Sequence, residues 1–459
     1  MSKGKLDLKK GDIIEVKIDD LAYGGERVGH YKGMAVFINR GVVGELVKAK
    51  IYNFKKNFLR AEFLEVIEKS ERRVEPPCDI YEECGGCQLQ EIDYEYQLKL
   101  KNKIIKDQLK KIAKLNKLNL NEVVGMDYPW HYRNKAQFPL KENEDEEILA
   151  GFFKRRSHDI VPLDNCLIQH QLINRITTKT LELLNQNEKL RVYNEKKHQG
   201  FLRHLIVRVG VCTNQAVLAF VTNGKKSRQL KEIAGKLIEE IPELIGIMQN
   251  INQEKTNVIM GKETKILKGK RRYRDYIGNK KFDVSLESFF QTNTMQTKKL
   301  YDTALNFINL TGNETLIDCY CGTGSIGLYF SDKVRKVVGI DINKKAISDA
   351  RHNKKINSID NAEFIKGDVR NNISKIMNKY ESNNNILIFD PPRKGLNEEI
   401  IKVILENLPN KIIYISCNPS TLARDLKRLK SDYLISNIKG VDMFPQTYHI
   451  ETVSMLEKK

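Results

Sequence analysis

Between residues 8 and 68 apolar and polar positions alternate in short runs. Asp12 to Ile18, Gly33 to Ile38, Glu45 to Tyr52 and Phe58 to Ile67 are rich in Val, Ile and Phe. Gly24-Gly25, Gly29, Asn39, Gly41 and Asn53 punctuate them as turns, so the runs are predicted as strands. Four or five short strands in about sixty residues suit a small closed, OB-like barrel. Lys48, Lys50, Lys55, Lys56 and Arg60 interleave with Tyr52, Phe54 and Phe58. That is the mixture of cations and aromatic platforms found on single-strand nucleic-acid binders.

The pattern then changes twice. Ile92 to about Leu118 is helical in period and lysine-rich. Residues 120–285 mix strand-like runs (Phe201 to Val211, Gln215 to Val221) with helical ones (Leu172 to Asn185, Ser227 to Glu240), an α+β texture. Acidic Glu142 to Glu147 is expected to be an exposed loop. From about Ser288, strand and helix alternate regularly. The predicted strands are Thr315 to Asp318, Lys336 to Asp341, Ala362 to Ile365, Ile386 to Asp390, Lys411 to Ser416 and Ile435 to Val441. This is the form of a doubly wound, mostly parallel sheet, in which ligands bind at the carboxyl ends of strands. The fold expected is therefore multidomain: an N-terminal β-barrel over residues 1–68, a central α+β domain over 69–285, and a C-terminal α/β Rossmann-like domain over 286–459.

Charge adds a partner class. With 78 basic and 59 acidic residues the formal charge is +19, which points to a polyanion such as RNA or DNA. No run approaches the ~20 apolar residues that span a bilayer. Met1 to Lys5 leads into no apolar signal segment. A cytoplasmic monomer acting away from membranes is expected.

Candidate chemistry clusters at the strand ends of the last domain. Asp318-Cys319-Tyr320-Cys321-Gly322-Thr323-Gly324-Ser325-Ile326-Gly327 follows its first strand. Gly322, Gly324 and Gly327 also fit G-x-G-x-x-G, so the loop alone admits either NAD or S-adenosylmethionine. The carboxylates favour the latter. Asp318 can meet a methionine ammonium, Asp341 can accept from ribose hydroxyls, and Asp368 ends the next strand near an adenine. Turn and capping roles are the alternative for Asp341 and Asp368.

Two further loops sit at strand ends: Asp390-Pro391-Pro392-Arg393-Lys394-Gly395 and Ser416-Cys417-Asn418-Pro419. Carbon 5 of uracil is a poor nucleophile. Thiolate addition to carbon 6 makes an enolate whose carbon 5 can attack a sulfonium methyl, and a base must then remove the carbon 5 proton. Cys417 is the candidate nucleophile, Asp390 a hydrogen-bonding partner for the pyrimidine, and Glu451 the candidate base. Arg393 stands where an amino-methylating enzyme would carry an aromatic. The loop 390–395 also lacks the cysteine of two-cysteine cytosine methyltransferases.

Eight cysteines occur. Cys78, Cys84 and Cys87 are clustered, with Gly85-Gly86 between the last two, and Cys166 lies far along the chain. Their spacing leaves open an iron–sulfur cluster, a tetrahedral zinc or no ligand. Cys319 and Cys321 are expected to pack beside the cofactor loop, and Cys212 to lie in the core.

These motifs together resemble the RNA uracil-5 methyltransferases, in particular the bacterial ribosomal branch with a TRAM barrel and a [4Fe-4S] cluster. The resemblance covers nearly the whole chain. It includes Ile18 to Gly29, where Arg27 stands in place of a common Gly, and the specific pairing of Asp-Pro-Pro-Arg with Ser-Cys-Asn-Pro. It implies Cys78, Cys84, Cys87 and Cys166 as cluster ligands. It also implies Gln291, within Ser288 to Asn293, as a cofactor contact. Tyr320, Asp341 and Asp390 would line the cofactor, Cys417 would be the nucleophile and Glu451 the base. By the same resemblance the substrate is a uridine of 23S ribosomal RNA. The transfer-RNA enzymes of the family generally lack barrel and cluster, though some cluster-bearing relatives act on transfer RNA. Competing readings are a transfer-RNA uracil methyltransferase, a non-enzymatic RNA-binding assembly factor and an NAD-linked iron–sulfur oxidoreductase. The Asp390, Cys417 and Glu451 set has no task in the last two.

Overall fold

The computed structural model describes residues 8–187, 189–225, 228–380 and 384–459. Five strands, Ile13–Leu21, Arg27–Tyr31, Met34–Ile38, Leu46–Lys55 and Phe58–Glu68, close into a barrel. Strict alternation along the first strand sends Ile14, Val16 and Ile18 inward and Ile13, Glu15 and Lys17 outward. The inward set meets Val36, Ile38, Val47, Ala49, Ile51, Leu59 and Ala61. Gly29, expected at a turn, lies instead inside Arg27–Tyr31 and pairs with both Ile18 and Val36. A Cβ there would stand 2.2 Å from the Lys17 carbonyl oxygen, so glycine is required by close strand approach at a bulge.

The central region is a seven-stranded sheet in the spatial order Glu263–Gly269, Leu244–Ile251, Gln215–Thr222, Leu202–Gly210, Lys135–Glu142, Ile148–Phe153, Ile160–Pro162. Helices Gln171–Asn185 and Arg228–Glu240 cover it, burying Ile173, Ile176, Leu184, Leu230, Ala234 and Leu237. Glu142 to Glu147 turns in solvent, as expected. Cys212 does not join this core. It sits exposed in the turn that follows Leu202–Gly210, because the strand ends two positions before it.

The last sheet has eight strands in the order Ala362–Lys366, Lys336–Asp341, Thr315–Cys319, Asn385–Phe389, Lys411–Ser416, Glu451–Lys458, Tyr433–Val441, Leu120–Val124. The first five run parallel, and all six strands predicted in this region are present within two residues of their expected ends. Two members escape the pattern. Glu451–Lys458 inserts antiparallel between Lys411–Ser416 and Tyr433–Val441. Leu120–Val124 reaches back from far earlier in the chain to form the edge. The helix before it, Tyr94–Gln108, continues as a π-helical turn, Leu109–Ala113, and buries Ile105, Leu109 and Ala113 against Leu422 and Leu426 of helix Pro419–Leu429. Among the described residues no helix is long and apolar enough to cross a membrane.

Candidate active site and cysteine cavity

The cofactor loop leaves Thr315–Cys319 through Tyr320, whose φ of 69° lies in the left-handed region. Such a backbone is costly for a side chain of this size and persists only where packing holds it. Gly324, at φ 79°, could carry no side chain: a Cβ would lie 2.7 Å from the Phe364 ring. The loop is then fixed by two carboxylates. Asp318 Oδ2 accepts from the Gly327 amide (2.9 Å), and Asp341 Oδ2 accepts from the Gly322 amide (3.0 Å) while its Oδ1 accepts from Asn343 (2.7 Å). Asp318 is fully buried, and its Oδ1 has no partner among the described residues. Burial, with Asp390 and Asp341 nearby, pushes it up to about 7. A buried carboxylate with one free oxygen suits a cation. S-Adenosylmethionine carries two, an ammonium and a sulfonium. Beside Asp341, Ile342 stands 71% exposed, a large apolar side chain at a strand end. Nothing but its place after Asp341 could have marked it in the sequence. Asp368 is occupied otherwise: it caps helix Val369–Lys379 and pairs with Arg370 (2.6 Å), which holds it below the usual carboxylate range.

The two catalytic-type loops are tied into one unit. Asn418 caps helix Pro419–Leu429, with Pro419 at its first position, where a missing N–H costs nothing. The Asn418 side chain and the Thr421 hydroxyl both donate to the Arg393 carbonyl (3.2 and 3.3 Å). Asp425, on the same helix, accepts from the Leu396 amide and the Tyr414 hydroxyl (both 2.9 Å). The antiparallel ladder then does what the sequence could not show. Ser416 pairs with Thr452, so the next residue on each strand brings Cys417 beside Glu451. Glu451 is buried, and its Oε2 has no partner among the described residues. Burial first, then the Asp390 charge, pushes Glu451 well above the ordinary carboxylate range, and Arg393 opposes this. Burial also raises Asp390 to about 7. The Cys417 thiol is pushed up to about 12 by burial, with Glu451 and Asp390 adding and Arg393 opposing.

Gln291 closes the group from the opposite side: its amide donates to Asp390 Oδ2 (3.2 Å). Asn134, from the mouth of the central sheet, holds it there by donating to the Gln291 carbonyl (2.8 Å) and the Thr294 hydroxyl (2.9 Å). Segment 288–293 ends as a helix cap, with Asn293 opening Thr294–Asn306. Asp318, Tyr320, Asp341, Asp390, Gln291, Cys417 and Glu451 thus share one end of the sheet.

Cys78, Cys84, Cys87 and Cys166 line one cavity of about 210 Å³, with Arg133, Phe152 and Gln169 also on its wall. Among the described residues no group of ligating side chains converges on a single ion. The sulfurs instead face backbone N–H groups: those of Ile80 for Cys78, Gly86 for Cys84, and Ile168 and Gln169 for Cys166. Gly85 is glycine for a reason unrelated to any ligand, since a Cβ would lie 2.7 Å from the Phe153 carbonyl oxygen. Cys319 and Cys321 are buried beside the cofactor loop, as expected.

The fold and the site define an S-adenosylmethionine-dependent methyltransferase carrying an accessory barrel. Comparison with known proteins gives the particular kind. The family model described as tRNA (Uracil-5-)-methyltransferase matches residues 93–459, and the TRAM domain model matches residues 7–64. The chain therefore belongs to the RNA uracil-5 methyltransferase family, with a TRAM barrel at its N-terminus. It is 41% identical to an uncharacterized RNA methyltransferase of Halalkalibacterium halodurans over the whole of both chains. It is 39% identical to one of Clostridium tetani, over 99% of this chain and 98% of the other. Among solved structures it is similar to a Pyrococcus abyssi tRNA (uracil-54, C5)-methyltransferase in complex with S-adenosyl-L-homocysteine. That match has a TM-score of 0.76 and 28% identity, and covers 96% of this chain and all of the other.

Proposed function

We propose that this RNA methyltransferase acts through a covalent bond between Cys417 and carbon 6 of its target uridine. The observation that carries this is the ladder register that sets Cys417 beside the buried Glu451, whose Oε2 has no partner among the described residues, with Asp390 and Arg393 at hand. S-Adenosylmethionine supplies an electrophilic methyl group, and Asp318, Asp341, Tyr320 and Gln291 hold it. Cys417 adds as thiolate to carbon 6, and carbon 5 takes the methyl. Glu451 removes the carbon 5 proton, and the returning electron pair expels the Cys417 sulfur. Asp390, anchored by Gln291, orients the pyrimidine.

The substrate proposed is a uridine of 23S ribosomal RNA, met in the cytoplasm by a monomer. Support comes from the conjunction of a TRAM barrel with four cysteines around one cavity. We read those cysteines as ligands of a [4Fe-4S] cluster. The donor set fits: four thiols around one cavity, three of them facing backbone N–H groups, suit the coordination of a cluster. A second reading, methylation of a transfer-RNA uridine, is favoured by the full-length likeness to the Pyrococcus abyssi enzyme.

The test is tritium release from RNA labelled at carbon 5 of uridine, with ribosomal and transfer-RNA transcripts assayed in parallel. Release from one transcript class names the substrate. Cys417→Ala is expected to abolish release while RNA retention on a filter stays within about threefold, because backbone contacts carry affinity. Release by the Ala variant at the wild-type rate would refute the adduct.

A further inference from the structure

The tip of the barrel's first hairpin, Tyr23-Gly24-Gly25-Glu26, lies against the catalytic domain. The Tyr23 ring meets Tyr448 edge-on, with centroids 5.9 Å apart, and the Tyr448 and His449 rings lie tilted against each other with centroids 4.1 Å apart. These two residues lead directly into Ile450 and Glu451. Tyr23 lies close enough to Cys417, Glu451 and Arg393 to share their electrostatic field. Its hydroxyl has no hydrogen-bond partner among the described residues, and its ring is only partly buried, packed on Leu21, Val42 and Leu89.

The tip is rigidly held. Gly25 has φ 84°, and a Cβ there would lie 3.1 Å from Tyr448 and 3.3 Å from Gln88. Arg27, fully buried, donates to the carbonyls of Gly25 (2.7 Å), Gln88 (2.9 Å) and Gly41 (2.6 Å) and to Glu91 (2.7 Å). The arginine thus fastens the hairpin to the segment after Cys87, and Glu91 supplies its counter-charge. A buried ion pair in which each guanidinium nitrogen has a hydrogen-bond acceptor fixes geometry. The cleft beside the tip, about 860 Å³, is bordered by Gly24, Gly25, Arg133, Tyr448 and His449. Its wall at Tyr448 and His449 lies two residues along the chain from Glu451.

We propose that the barrel completes the uracil pocket: Tyr23 is a substrate-contacting residue whose ring packs against the target nucleotide while Cys417 is bonded to it, and Arg27 is the positioning residue that holds Tyr23 there. The proposal rests on the carbon 5 chemistry given above. It makes the barrel part of the active site as well as an RNA-binding appendage. An aromatic wall suits a base turned out of its stack, which must exchange its neighbours' faces for a protein surface.

The experiment measures kcat and KM for an RNA transcript that the wild-type enzyme methylates, together with equilibrium binding of S-adenosyl-L-homocysteine and the thermal midpoint. Tyr23→Ala is expected to lower kcat/KM for RNA by roughly 10- to 100-fold, the loss typical of one base–aromatic contact. Homocysteine-nucleoside binding and thermal midpoint should stay at wild-type values. Tyr23→Phe, which keeps the ring, should recover most of the loss. Arg27→Met should reproduce the Tyr23→Ala loss in RNA kcat/KM without weakening nucleoside binding. A Tyr23→Ala enzyme within twofold of wild type overturns the proposal. So does a loss shared equally by nucleoside binding and thermal midpoint, which would make Tyr23 merely structural, and so does a Phe variant as impaired as Ala. Failure of the wild type itself to release tritium from any RNA would instead strike the carbon 5 reading, so the two failures are separable.

Discussion

Asp318 is a carboxylate at odds with its surroundings until a cation arrives. Burial and two neighbouring carboxylates raise it to about 7, so in the free enzyme near neutrality it is about half protonated. Asp390 titrates in the same range and for the same first reason. A bound sulfonium and ammonium favour the ionised forms. The sign follows: below pH 7 the cofactor must displace protons, and above it the site is already anionic. The affinity for S-adenosylmethionine is therefore expected to rise on the order of tenfold between pH 6 and pH 8. S-Adenosyl-L-homocysteine, one positive charge poorer, should show a shallower rise, and Asp318→Asn should both weaken binding and flatten the dependence. Isothermal titration across that range checks it, and a pH-independent affinity in the wild type would show that neither carboxylate faces the cofactor. The same raised values mean that these groups favour folding at low pH. Their contribution is lost as pH climbs through 7, so bound cofactor should stabilise the protein most on the alkaline side.

At the scale of elements, the catalytic end of the sheet is held by a helix from outside the Rossmann-like alternation. Lys101, fully buried in Tyr94–Gln108, donates to Asp442 Oδ1 (2.7 Å) and to the Phe444 carbonyl (3.2 Å), and Gln97 bonds Gln446 (2.9 Å). These contacts set the loop 442–450 that precedes Glu451. Lys101→Met leaves Asp442 buried without its cation, a change that costs about 3–5 kcal/mol. Lys101→Met with Asp442→Asn removes both charges and keeps one of the two side-chain oxygens, of which Oδ2 accepts from the Tyr94 hydroxyl and Oδ1 from the Phe444 amide. The double variant is expected to unfold at a clearly higher temperature than Lys101→Met alone, and equal midpoints would show that the pair is not coupled. This part of the fold was the least legible in the sequence. The five parallel strands announce themselves as short runs rich in Val, Ile, Leu and Phe with Asp318, Asp341, Asp390 or Cys417 at or just past their ends, because the central ones are buried on both faces. Glu451–Lys458 does not, since an antiparallel insertion carries no periodic mark. Leu120–Val124 is half-exposed and only five residues long. The candidate site was legible residue by residue, but the adjacency of Cys417 and Glu451 is a property of register, which sequence spacing does not express. Arg27 taught the same lesson: read as a minor departure from a glycine, it is a buried four-contact anchor.

Across the whole molecule, the cysteine cavity is where separate stretches of chain meet. Segment 78–87, the strand end at Phe152 and the loop 163–169 wall it, and Phe444 packs behind. Arg155 reaches from the adjoining hairpin to the carbonyls of Cys87 (2.6 Å) and Asn39 (3.1 Å), joining cavity to barrel. The four thiols are partly or fully removed from water, and Cys87 and Cys166 are pushed up to about 12 and about 11, with burial the largest cause. Iron would replace their protons and tie 78–87 to 166 by bonds rather than by packing. Loss of one ligand should therefore act on this junction and spare the distant cofactor loop, which is fixed by Asp318 and Asp341. Cys166→Ser is expected to purify with little iron and to be cut faster by limited proteolysis around residues 71–90, while it binds S-adenosyl-L-homocysteine as the wild type does. Undiminished iron in that variant would remove Cys166 from the ligand set. A collapse of nucleoside binding in step with the proteolysis would mean that the cavity supports the catalytic sheet itself, and that the barrel, the cysteine segment and the methyltransferase domain unfold as one cooperative unit.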